Sequence, residues 1–219
     1  MRATCVESFE VRARLDELGV TEEILRQAVQ RGTAAFNSCT ANHPRQSAGF
    51  YAWSETVSAL RELLNPLNWR REDDNNLPFV VNGSGTIALI VATGDEATGR
   101  PEELPCTNSS KGPRTADAVA INQAQYELFP DIRLQSEDLE RINGRMGRMT
   151  WLLLMHRDPQ VDEVRCELSR PINMTVEGRV SGWAERIILS SMPFLGSGAD
   201  IVPDVPKSPE IDVRVKRRA

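Results

Sequence analysis

From Ser8 to Leu64 the apolar side chains recur every three or four positions, the spacing of one face of an α-helix. Val11, Leu15 and Leu18 share the face of a short helix that Ser8 can cap and Gly19 ends. Thr21 can cap the next helix, and Glu22 and Glu23 suit its positive N-terminal end. Leu25, Ala28, Val29, Gly32 and Phe36 then follow at helical spacing. The stretch ANHPRQSAGF reads as a loop. Trp53, Val57, Leu60 and Leu64 form the stripe of a third helix, stopped by Asn65-Pro66.

After the polar run NWRREDDNN, which reads as a connector, the period changes. FVV (Phe79 to Val81) and TIALIVAT (Thr86 to Thr93) flank NGSG. Asn and Gly there accept the positive φ of a tight turn, which predicts a hairpin. Gly94 to Pro113 reads as a long polar loop, Thr115 to Leu128 as a helix, and Ser136 to Asn143 as a shorter helix. The continuous apolar run of TWLLLMHR predicts a central strand. DPQVD is a turn, and EVRCELSRPINM is a strand with Val164, Cys166 and Leu168 facing one way. Glu177-Gly178 is a further turn before a strand in WAERIILSSMPF, and EIDVRVKRRA reads as an edge strand at the end of a Gly-, Pro- and Asp-rich tail.

The pattern predicts an α+β fold, with a helical N-terminal part followed by a mostly antiparallel β-sheet carrying one or two packed helices. It divides the chain into a helical region over residues 1–70, a sheet-and-helix core over 77–194 and an extended tail over 195–219.

Composition narrows the class. The chain has 219 residues, 40% of them hydrophobic, enough for one sizeable core. Its longest apolar run, Ile87 to Ala92, is far short of the roughly 20 residues of a membrane helix. The N-terminal stretch lacks an apolar segment of the signal-peptide kind. The four cysteines, Cys5, Cys39, Cys106 and Cys166, are scattered, with only His43 and His156 as further soft ligands. They read as free thiols of a reducing cytoplasm rather than a zinc site. The net charge of -5 excludes wholesale coating of nucleic acid by a basic domain. Abundant Arg and Ala with scarce Lys reflects a GC-rich, bacterial coding sequence. The tryptophans Trp53, Trp69, Trp151 and Trp183 read as core residues.

Against that arginine bias one lysine stands alone in the body of the chain, Lys111, in NSSKGPRT. The stretch lies just before a predicted helix, whose unpaired N–H groups and dipole favour an anion. Ser109, Ser110, Lys111, Arg114 and Thr115 form the candidate anion or phosphate site. The order of Lys and Gly is not that of a Walker motif. Asp95 and Glu96, at the start of the same loop, are placed to hold a Mg²⁺ that bridges to such a phosphate.

Leu15 to Gly32 resembles a helix-turn-helix. That resemblance makes Arg26, Gln27, Gln30 and Arg31 candidate nucleic-acid contacts, although Asp16 and Glu17 on the preceding helix oppose phosphates. MHRD lacks the companion motifs of a kinase catalytic loop. Glu163-Val164-Arg165 places Arg where a PD-(D/E)xK nuclease needs Lys. No G-x-S-x-G is present, and neither histidine has an evident catalytic partner. The leading expectation is a non-enzymatic cytoplasmic bacterial protein that needs no cofactor. It would bind nucleic acid or a nucleic-acid-handling protein through the loop Gly94 to Thr115. The alternatives are a Mg²⁺-dependent phosphoester-cleaving enzyme using Asp95, Glu96 and Lys111, and a protein-interaction factor or inhibitor from a mobile element.

Overall fold

A computed structural model describes residues 3–128 and 147–194. The predicted helix Ser136 to Asn143 and the tail from Leu195 lie outside the described residues. The fold is α+β, with N-terminal helices followed by a mostly antiparallel sheet.

Helix α1 spans Ser8–Leu18 and ends at Gly19, whose φ of 72° is the left-handed conformation that glycine adopts freely. The cap position belongs to Glu7, so Ser8 is the first helical residue rather than the cap. Helix α2 spans Glu22–Asn37, and the Thr21 hydroxyl accepts the Ile24 N–H at 3.3 Å. Helix α3 spans Ser47–Leu64 and therefore begins inside the stretch read as a loop. The reason is visible at Phe50 and Tyr51, which are exposed and so break the apolar periodicity in the first turns.

The sheet runs in the order β1-β7-β6-β5-β4-β3-β2. The strands are β1 (Ala3–Cys5), β2 (Arg70–Asp74), β3 (Leu77–Val81), β4 (Ile87–Thr93), β5 (Met149–Asp158), β6 (Glu163–Met174) and β7 (Val180–Ile188), with β8 (Met192–Pro193) pairing β6. Two of the pairings, β4 with β5 and β1 with β7, are parallel, and the rest are antiparallel. The β3–β4 turn forms as the NGSG motif predicts: the Asn82 Oδ1 accepts the N–H groups of Thr86 and Ile87, and Gly85 takes φ 75°.

The polar run read as a connector contains β2. The side chains of this edge strand stay exposed or half-buried, so RREDD needs no apolar alternation. Central β5 is covered on both faces, which explains its unbroken apolar run. Trp151, Leu153 and Met155 join one core with α1, α2 and α3, through residues such as Leu15, Leu25 and Leu60. Leu152 and Leu154 join a second core on the opposite face, with Ala88, Ile90 and Val119 of helix α4 (Pro113–Leu128). Asn122 on α4 clips the helix to the sheet: its amide donates to the carbonyls of Thr150 (2.7 Å) and Pro171 (2.9 Å) and accepts the Thr150 N–H.

A buried ion pair ties α1 to strand β7. Arg14 Nε and Nη2 donate to Glu185 at 2.6 and 2.9 Å, and the guanidinium lies 5.8 Å from the centre of the Trp151 ring. The neighbouring carboxylates Glu185 and Glu17 hold the Arg14 pKa above the ordinary arginine value in spite of its burial.

Candidate functional site

The segment between β4 and α4 carries most of the candidate chemistry. It is anchored along its length. Gly94 bridges to Thr107, and the Asp95 N–H donates to the Cys106 carbonyl at 2.9 Å. The Asp95 carboxylate accepts the N–H of Ala97 on one oxygen and the N–H of Cys106 on the other.

The outer part of the loop is strapped to strands β6 and β7. Arg165 donates to the carbonyls of Thr98 (3.0 Å) and Glu96 (2.9 Å). Arg186 donates to those of Glu103 (2.7 Å) and Arg100 (3.1 Å), and the Trp183 indole N–H to that of Pro105 (2.9 Å). Beneath these straps lies Glu167, which is fully buried. It accepts from Arg186 at 3.0 and 2.6 Å, from the Ser169 hydroxyl at 2.6 Å and from the Gly99 N–H at 2.8 Å.

Sequence reasoning missed Glu167, Ser169 and Arg186, and weighed Arg165 only in place of a nuclease lysine. The available clue was β6 itself, where Arg165, Glu167 and Ser169 alternate with Val164, Cys166 and Leu168. A polar strand face next to a long polar loop has something polar to hold.

Of the predicted anion set, the structure brings Ser109 and Lys111 together. The Lys111 ammonium donates to the Ser109 hydroxyl at 3.1 Å, and the Lys111 N–H donates to the Gly178 carbonyl in the β6–β7 turn. Ser110 lies beside Gly178 of that turn. Lys111 is half-buried, and burial alone pushes its pKa below the ordinary lysine value; no ion pair to it is found among the described residues. Arg114 turns away, toward Asp74 (3.4 Å) and Asp117 (3.6 Å). Thr115 is buried in the first turn of α4, with its N–H on the Gly112 carbonyl. A pocket of about 320 Å³ beside this helix start is lined by Asn75, Asn76, Gly112 and Arg114 among others.

The metal and helix-turn-helix candidates are placed differently. Asp95 has both carboxylate oxygens engaged by backbone, while Glu96 is exposed and contributes its carbonyl to Arg165. Among the described residues no three His, Cys, Asp or Glu side chains gather as metal ligands. On α2, Arg31 pairs with Glu62 and Glu55 of α3, and Gln27 donates to Glu23 at 2.6 Å. Gln30 is exposed. Arg26 has its Nε buried without a hydrogen-bond partner among the described residues, in a groove between α1 and α2 that Arg12, Asp16, Glu22 and Glu23 also line. Arg165 of the Glu163-Val164-Arg165 sequence is a strap of the loop, and His156 Nδ1 lies 3.4 Å from the Gly94 carbonyl.

Comparison of the chain with protein-family models, with curated proteins and with solved structures finds no match. No helix among the described residues is long and apolar enough to cross a membrane.

Proposed function

We propose that this chain is a non-enzymatic, cytoplasmic bacterial binding protein that contacts the phosphates of nucleic acid, or of a nucleic-acid-bearing partner, through Lys111. The observation that carries the reading is the half-buried Lys111 ammonium, which burial destabilises and no carboxylate among the described residues compensates. A desolvated cation without a counter-ion favours an incoming anion, because pairing removes the cost of burying the charge alone. Its surroundings reinforce this. The Ser109 hydroxyl is within hydrogen-bond reach, and the first turn of α4 follows two residues later with its positive dipole end. The straps from Arg165 and Arg186 hold the loop upstream, so a ligand need not order that part on binding. The Mg²⁺ reading finds no support in the placement of Asp95 and Glu96, since no three His, Cys, Asp or Glu side chains gather as metal ligands among the described residues.

The test is binding of labelled DNA and RNA, single- and double-stranded, at low and high salt. Binding should weaken as salt rises, and Lys111→Ala should lower affinity and reduce the salt slope by about one. Affinity should also fall as pH rises, starting below the ordinary lysine range, because deprotonation of Lys111 removes the charge that binds. Absence of binding to every nucleic acid at low salt would sink the proposal.

A further inference from the structure

The edge strand β2 reads Arg70-Arg71-Glu72-Asp73-Asp74, two cations and two anions on either side of a central residue. Run antiparallel against itself about Glu72, this strand is complementary: Arg70 meets Asp74 of a second copy and Arg71 meets Asp73. We propose that β2 is the seam of a symmetric homodimer, in which two copies of this chain join their sheets edge to edge.

The backbone supports this register. Across the β2–β3 pair Arg70 faces Val81, Glu72 faces Phe79 and Asp74 faces Leu77, with Pro78 opposite Asp73. Proline has no N–H to give, so the ladder bonds cannot centre on the Asp73–Pro78 pair. The other side of β3 agrees, since the Asn82 N–H points at β4 and bonds the Ile87 carbonyl at 3.0 Å. Residues alternate sides, so Val81, Phe79 and Leu77 point at β2, and Arg70, Glu72 and Asp74 point back at them. The N–H and C=O groups of Arg71 and Asp73 are left facing outward. In the proposed dimer these same residues sit opposite each other and exchange both bonds, while the two Glu72 residues form the non-hydrogen-bonded pair at the axis.

The side chains fit the same arrangement. Arg70 and Arg71 are exposed, and neither carries an ion pair among the described residues. The acidic half has partners within the chain, Asp73 with Arg61 (2.6 Å) and Asp74 with Arg114 (3.4 Å), yet both side chains stay open to solvent. A carboxylate has room for a second donor. The two Glu72 carboxylates would face one another, but each is held by its own Arg148 at 2.9 Å. A charged edge repels most strands, which is the usual protection against aggregation. This pattern repels others and admits its own copy, the self-complementarity that a two-fold interface needs.

Sedimentation of the full chain should show the mass moving from 24.4 kDa toward twice that value with concentration, and moving back as salt rises. R70E/R71E makes the strand wholly acidic and D73R/D74R makes it mostly basic. Each variant should sediment as a monomer with native circular dichroism, and a one-to-one mixture should regain the dimer. A second variant is independent of those charges. In Glu72→Cys the paired Cα atoms would lie about 4.5 Å apart, within disulfide reach, so mild oxidation should give a covalent dimer that the parent protein does not. A wild-type chain that stays monomeric at every concentration overturns the proposal. So does a dimer that survives in both charge variants, or an E72C protein that does not cross-link.

Discussion

At Glu167 two fully buried carboxylate oxygens receive four donated hydrogen bonds, two of them from the Arg186 guanidinium. Such a charge is tolerable only while its partners stay in place. Glu167→Ala leaves Arg186 buried without its counter-ion and the Gly99 N–H without an acceptor. We expect it to cost about 3–5 kcal/mol, the loss seen when one partner of a buried pair is removed. Urea unfolding measures that loss, and a change within about 0.5 kcal/mol would show that the pair does not hold the fold. Glu167→Gln should cost less, because the amide oxygen still accepts. The place of Lys111 just before a helix was legible in the sequence, because the periodicity of α4 could be read. Glu167 and Arg186 were not legible as a pair. They lie 19 residues apart on different strands, and their meeting depends on the β6–β7 register, which is shifted by bulges.

Two glycines show how elements meet. A side-chain carbon built on Gly32 of α2 would lie 2.0 Å from the Thr56 hydroxyl and 2.5 Å from the Ala52 carbonyl on α3. Helices α2 and α3 therefore approach closely because Gly32 has no side chain. Gly49, within α3, has nothing within 4 Å. Gly32→Ala should destabilise by about 1–3 kcal/mol through overpacking. Gly49→Ala should stabilise by about 0.5–1 kcal/mol, since alanine loses less backbone entropy in a helix. Thermal melts of the two variants should move in opposite directions, and a Gly32→Ala melt equal to wild type would show that the helices part without cost. At this scale the hydrophobic pattern located α1, α2, α4 and the strands β3 to β7. It failed where an element lacks a buried face. Strand β2 is solvated, the start of α3 displays Phe50 and Tyr51 outward, and β1 is only three residues long. The loop after β4 was read as a long polar loop, and the residues that hold it lie on β6 and β7.

In the whole molecule one sheet carries two cores. Trp151 of β5 lies with Trp69 in the core shared with α1, α2 and α3, and Trp183 lies in the core shared with α4. Strand β5 contributes alternate side chains to both, so neither core can lose its packing without exposing the other side of the same strand. The helices over residues 8–64 are covered by the sheet, which also pairs β1, at the start of the chain, with β7 near the end of the described residues. The change of period after Leu64 therefore marks a change of element and not of packing unit. The expected consequence is cooperative unfolding as one unit. Tryptophan fluorescence, which reports both cores, and far-UV circular dichroism, which is dominated by the helices, should give coincident transitions, with the calorimetric and van't Hoff enthalpies equal. Melting of the helical signal before the fluorescence change would show instead that α1 to α3 form a unit of their own. The buried Arg14–Glu185 pair, which bonds α1 to β7 across 171 residues of sequence, argues for the single transition, because detaching α1 leaves Glu185 charged and uncovered on the sheet.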